Sequence, residues 1–175
     1  YIVCSGGGGG IMEAANRGAS EGGGRTVGLN IGLPHEQRPN PYITRELCFE
    51  FRYFFMRKLW FAHLARALVV FPGGFGTLDE LMEILTLQQT GKLARPTQVL
   101  LYGSAYWNEI INFDALVRHG MISRADLDLF TFADDPATAL GLLQSWLRPA
   151  PEAVTPAFAS SRTSGGAGPS GSSGR

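Results

Sequence analysis

The apolar positions change period along the chain, and the changes mark alternating strands and helices. Tyr1–Cys4 is a short apolar run that enters a glycine loop, Gly6 to Gly10. Ile11–Glu21 repeats at helical spacing, with Ile11, Ala14, Ala15, Gly18 and Ala19 on one face and Gly22-Gly23-Gly24 as its stop. Arg25–Ile31 reads as a strand, and Pro34, Pro39 and Pro41 make residues 33–43 a loop. Leu47, Phe49 and Phe51 alternate with Cys48, Glu50 and Arg52, which predicts a half-buried strand. Phe54, Arg57, Lys58, Phe61, Leu64 and Ala65 then recur at the helical period. Ala67–Phe71 predicts a buried strand, Pro72-Gly73-Gly74-Phe75-Gly76 a turn, and Thr77 to about Thr90 a helix stopped by Gly91. A strand over Gln98–Tyr102, a helix over Tyr106–Arg118, a short strand over Leu129–Phe132 and a helix over Pro136–Leu147 complete the alternation.

Strands that alternate with helices of this length need crossover connections. The fold class is therefore α/β: a Rossmann-like parallel sheet with helices on both faces, over residues 1–148. From Pro149 to Arg175, Gly, Pro, Ser and Ala supply 20 of 27 residues. That segment has too little apolar surface to offset the entropy of ordering it, and residues 149–175 read as a disordered tail. Because the chain begins at Tyr1, without Met and already inside an apolar run, it reads as a fragment cut within a domain.

Composition narrows the function. Lys+Arg and Asp+Glu balance at 15 each with a pI near 7.0, which leaves no basic footprint for a nucleic-acid polymer or an anionic membrane. No signal peptide and no apolar run of membrane-spanning length is present, so the expected setting is a reducing cytoplasm. Cys4 and Cys48 do not combine with His35, His63 and His119 at any metal-site spacing, and neither a metal nor a cofactor is expected. Glycine is the outlier, 23 of 175 residues, about twice the usual ~7%.

The glycines concentrate in two loops, each after a strand and before a helix. A helix N-terminus presents free N–H groups and a partial positive charge, and glycine lets an anion approach closely. Two such loops on one carboxyl edge of a parallel sheet can hold a phosphorylated ligand between them. The familiar nucleotide patterns do not fit. Gly6–Ile11 does not complete GxGxxG, the strand Arg25–Ile31 lacks a terminal acid, and no Gly-Lys-Ser/Thr occurs in a chain whose only lysines are Lys58 and Lys92. Structural readings stand beside the functional one. The first loop is also a tight turn for close strand–helix packing. In the second, Thr77 and Glu80 have the spacing of a capping box, and Arg57 alone reads as a solvated helix charge.

Pro72–Glu80 resembles the PGGxGTxxE motif of the Lonely Guy (LOG) family of cytokinin-activating phosphoribohydrolases and their bacterial relatives. Ser5–Ala19 resembles the family's first glycine loop and Met56-Arg57-Lys58 its Arg-Lys pair, and the resemblance runs to about Leu147 through Leu85–Lys92. It implies cleavage of an N-glycosidic bond: AMP or an N6-substituted AMP plus water gives the free base and ribose 5-phosphate. It also implies Arg57 and Glu80 as the catalytic pair. Gly73, Gly74, Phe75, Gly76 and Thr77 are implied to hold the 5′-phosphate, with further contacts from Gly8, Gly9, Gly10, Met12, Glu13, Lys58, Asp79 and Thr86. The family's first strand and helix have no counterpart here, so the sheet is expected to lack a neighbour strand and one wall of the pocket. The label "possible lysine decarboxylase", also attached to such families, demands a lysine Schiff base that two lysines without a pyridine-binding set do not supply. The alternative is a non-catalytic nucleotide or cofactor carrier of the same superfamily. The aromatic cluster of Phe49, Phe51, Tyr53, Phe54, Phe55, Trp60 and Phe61 is large enough for the homodimer interface the resemblance implies.

Overall fold

The computed structural model describes residues 1–32, 38–93 and 95–148. The expected tail, and the part of the Pro-rich loop that holds Pro34 and His35, lie outside the described residues. The alternation holds element by element. In order come β1 (Val3–Ser5), α1 (Ile11–Glu21), β2 (Thr26–Ile31), β3 (Cys48–Phe51), α2 (Phe54–Leu64), β4 (Ala67–Val70), α3 (Phe75–Gln89), β5 (Gln98–Tyr102), α4 (Ser104–Ile110), α5 (Phe113–Arg118), β6 (Phe130–Ala133) and α6 (Pro136–Trp146). Short 3-10 segments at Arg45–Leu47 and Arg124–Leu129 lead into β3 and β6.

All strand pairings are parallel, as the α/β reading requires, but the single sheet divides. The strands form two sheets of three, ordered β1-β2-β3 and β4-β5-β6. Among the described residues no ladder joins β1 to β4, and each keeps a free edge. Helix α2 spans the division: it packs on β2 and β3, while its Ala62 enters the core of the second sheet with Val70, Leu81, Val99 and Trp107.

The second sheet is covered on both faces. Val99 and Leu101 face Leu81, Ile84 and Trp107, whereas Leu100 faces Ala133 and Ala139 on the α6 side. The apolar run of β5 is the sequence record of a central strand buried on both sides. The first sheet is thinner. Its middle strand β2 is buried, but Cys48, Phe49 and Glu50 of β3 are exposed, so the alternation there does not make a buried face.

Four helix expectations need correction. The inward face of α1 carries Met12, Ala15, Asn16 and Ala19 rather than Ile11, Ala14 and Gly18, because the buried residue is the polar Asn16. On α2, Phe54 and Leu64 face solvent. The helix expected over Tyr106–Arg118 is two helices, since Ile111 is extended and the Asn112 side chain accepts from the Ala115 N–H to start a new one. Lastly, α3 begins at Phe75 with Gly74 as its N-cap, ahead of Thr77.

Asn16 is fully buried and organises the first glycine loop. Its Oδ1 accepts from Ser5 Oγ at 2.6 Å and from Asn40 Nδ2 at 2.9 Å, and its own amide donates to the Val27 carbonyl at 3.4 Å. Asn40 also donates to the Gly8 carbonyl, and its backbone N–H donates to that of Gly7. Asn16→Ala strands these groups without water, so unfolding by urea should show a loss of about 2–4 kcal/mol. A loss under about 0.5 kcal/mol would mean that the network is slack.

Candidate active site at the α2–α3 seam

Helix α3 buries Leu81 and Ile84 in the core. The helical period then sets Asp79, Glu80 and Glu83 together on a flank that meets α2. There Arg57 Nη2 lies 3.4 Å from Glu80 Oε1, with the two side chains 16% and 22% exposed. Lys58 Nζ donates to Asp79 Oδ1 at 2.9 Å and lies 3.2 Å from Glu83 Oε2. The guanidinium of Arg57 sits over the rings of Phe54 and Phe61 at 5.4 and 5.9 Å, and its Nε is buried without a partner. Arg57 is thus a cation packed against two rings, and its side chain makes a single hydrogen bond among the described residues, through Nη2 to Glu80.

Electrostatics separates the two pairs. Burial pushes the Glu80 carboxyl above the ordinary carboxylate range; Glu83 and Asp79 add to this, and Arg57 and Lys58 oppose it without prevailing. Lys58 moves the other way from a Schiff-base amine. The hydrogen bond to Asp79, outweighing partial burial and aided by Glu83, holds it above the ordinary lysine value and so firmly charged.

The capping box does not form. Glu80 lies beyond the first turn, no side chain caps α3, and Thr77 instead folds over Gly73, where a Cβ would collide with it. The first helical bond of α3 runs from the Leu78 N–H to the Gly74 carbonyl, so the amides of Phe75, Gly76 and Thr77 have no intrahelical acceptor. Helix α1 opens alike, with Gly10 as N-cap and no side-chain cap. By contrast Asn112 and Asp135 cap α5 and α6 through their side chains. The second loop is held from behind: Tyr106 Oη donates to the Gly73 carbonyl at 2.6 Å, and Pro72 packs beside Gly103.

The structure brings Arg57, Lys58, Asp79 and Glu80 together at the root of the second loop. Glu83, which belongs to neither motif, joins them; its signal was its i,i+3 and i,i+4 spacing from Glu80 and Asp79. Gly8, Gly9 and Gly10 lie in the loop after β1 and Met12 and Glu13 in the first turn of α1, and no hydrogen bond or ion pair among the described residues ties them to the seam. Thr86 lies away from the cluster, its hydroxyl donating to the Met82 carbonyl. Phe75 is 93% exposed beside the free amides. Among the described residues no group of three His, Cys, Asp or Glu is placed to hold a metal.

The profile of a family described as possible lysine decarboxylases matches residues 12–143. A probable cytokinin riboside 5′-monophosphate phosphoribohydrolase of Oryza sativa subsp. japonica is 31% identical over 141 residues, 79% of this chain and 60% of the relative. A cytokinin riboside 5′-monophosphate phosphoribohydrolase of Arabidopsis thaliana is 32% identical over 126 residues, 70% of this chain and 56% of the relative. The chain thus spans less than two thirds of the length of these curated relatives.

A raised Glu80 makes stability depend on pH with a definite sign. Its contribution is present below the unfolded-state value of about 4.5 and is lost as pH rises through the higher folded-state value. Denaturant unfolding at stepped pH should show wild type losing stability relative to Glu80→Gln above about pH 4.5. A relative gain over that range would show the Arg57 attraction outweighing burial.

Proposed function

Because the chain belongs to the possible-lysine-decarboxylase family that includes the LOG phosphoribohydrolases, we propose that it carries the site of a nucleoside 5′-monophosphate phosphoribohydrolase. In this reading AMP or an N6-substituted AMP is hydrolysed at its N-glycosidic bond to free base and ribose 5-phosphate. The observation that carries it is the half-buried Arg57–Glu80 pair beside an uncapped helix start. Lysine decarboxylation fits the chain poorly, because Lys58 is held charged between two carboxylates.

Each residue has a task in the reaction. The free amides of Phe75, Gly76 and Thr77 take the 5′-phosphate. As the ribosyl C–N bond lengthens, positive charge grows on the sugar, and Glu80 faces it as a carboxylate or takes a proton from the attacking water. The fork of Arg57 orients Glu80 and a substrate oxygen together. Gly8, Gly9, Gly10, Met12 and Glu13 take further ligand contacts from the first loop and the start of α1, as do Lys58 and Asp79 within the seam and Thr86 beyond it on α3. No further cofactor enters, and a reducing cytoplasm suits the free thiols of Cys4 and Cys48. Among the described residues no helix is long and apolar enough to cross a membrane.

Chromatography of AMP and isopentenyladenosine monophosphate incubations tests the reading by the appearance of free base. Glu80→Gln should lower turnover at least ~100-fold, since glutamine keeps the shape but neither the charge nor the basicity. Stability should not suffer, because no cap is lost. A variant that keeps its rate would move the chain to the carrier reading, in which phosphate is bound without chemistry.

The same reading includes a homodimer through the outer face of α2. Phe55, Leu59, Trp60 and Leu64 are 65%, 57%, 44% and 59% exposed there, next to Tyr53 at 56%. So much contiguous apolar surface fits a self-complementary interface. Leu59→Lys should convert a dimer to a monomer in sedimentation analysis; a monomeric wild type would remove this part of the proposal.

A further inference from the structure

Glu83 is the third carboxylate of the seam and lies outside both glycine motifs. It stands one helical turn beyond Glu80 on the same flank of α3, and its Oε2 lies 3.2 Å from Lys58 Nζ. Asp79 accepts from the same ammonium at 2.9 Å, but its side chain is 56% exposed against 30% for Glu83. Water therefore screens the pull of Asp79 more than that of Glu83. Arg57 and Lys58 are neighbours on α2, so both cations start beside Glu80. Only Arg57 is in contact with it.

We propose that Glu83 is a positioning residue for the Arg57–Glu80 pair: by sharing the Lys58 ammonium with Asp79 and drawing it toward the next turn of α3, it leaves Arg57 as the only cation among the described residues that touches Glu80. The proposal deepens the phosphoribohydrolase reading and rests on it for its catalytic meaning, but its electrostatic content is measurable without substrate. The charged groups that face Glu80 are Arg57 and Lys58 from α2, and Asp79 and Glu83 from its own helix. Glu83 adds negative charge beside Glu80 and withdraws a positive one, and both effects favour the protonated carboxyl. A carboxylate poised in this way is a stronger base near neutral pH than an exposed one. Without Glu83, Lys58 keeps one exposed partner and can turn toward Glu80.

Titration of the Glu80 carboxyl carbon by NMR in the full chain, assigned by its loss in Glu80→Gln, tests this directly. In Glu83→Gln the Glu80 midpoint should move to lower pH; Glu83→Asp, which keeps the charge, should restore most of the wild-type value. Asp79→Asn should move the midpoint less than Glu83→Gln does. In a Lys58→Met background the effect of Glu83→Gln should shrink, because the ammonium it holds is gone. With AMP, the acid limb of kcat/KM should follow the midpoint, and the rate at neutral pH should fall roughly threefold or more. An unmoved midpoint in Glu83→Gln, a larger shift in Asp79→Asn, or an undiminished effect in Lys58→Met overturns the proposal. Wild type that cleaves no AMP while its midpoint shifts as described overturns the phosphoribohydrolase reading and leaves the Glu83 geometry supported.

Discussion

Everything at the candidate site depends on a partly desolvated seam in which Asp79, Glu80 and Glu83 of α3 meet Arg57 and Lys58 of α2. Core packing imposes the seam. Leu81 and Ile84 must face the second sheet, so the carboxylates fall on the flank toward α2. Helix α2 in turn packs on the first sheet and sends Ala62 into the core of the second. With no ladder between β1 and β4 among the described residues, this helix and its ion pairs link the two sheets. Three carboxylates against two cations leave the seam one charge negative. A surplus of that sign agrees with the proposed reaction, whose transition state gathers positive charge on a sugar.

Period and punctuation made most of the fold legible. The apolar run of β5, the Gly22–Gly24 stop of α1 and the Pro72 turn each name their element, and the parallel pairing follows from the crossovers. What stayed hidden is side-chain chemistry that overrides period. Asn16 is not among the residues of the apolar face predicted for α1, yet it is buried because Ser5, Asn40 and Val27 satisfy its amide. Asn112 reads as one more helical position, yet its side chain caps a new helix. The capping box of Thr77 and Glu80 had the right letters in the wrong place, since the glycines let α3 start earlier. Of the candidate site, Arg57, Lys58, Asp79 and Glu80 were legible through motif resemblance, whereas Glu83 is visible only once α2 lies against α3.

The two glycine loops show why a count of glycines is a poor guide and their surroundings a better one. Gly7 is required by the fold: its φ is +76° and a Cβ would strike Asn30. Gly73 is required too, although its backbone is ordinary, because Thr77 occupies the space a side chain would need. Gly9, Gly74 and Gly76 are different. None has a left-handed φ, and a Cβ on any of them would meet nothing within 4 Å. The protein's own packing therefore does not ask for glycine at these positions, and in a helix start such as Gly76 it costs about 0.5–1 kcal/mol relative to alanine. What glycine does provide there is bare backbone, with amides free and open space above them. Close approach of an anion is the physical use of that arrangement, and at Gly76 it sits one helical turn before Glu80 on α3. Gly18 and Gly141, inside α1 and α6, are equally free of packing demands, so it is the place of Gly74 and Gly76 at an uncapped helix start, and not the glycine itself, that agrees with the phosphate contact proposed above.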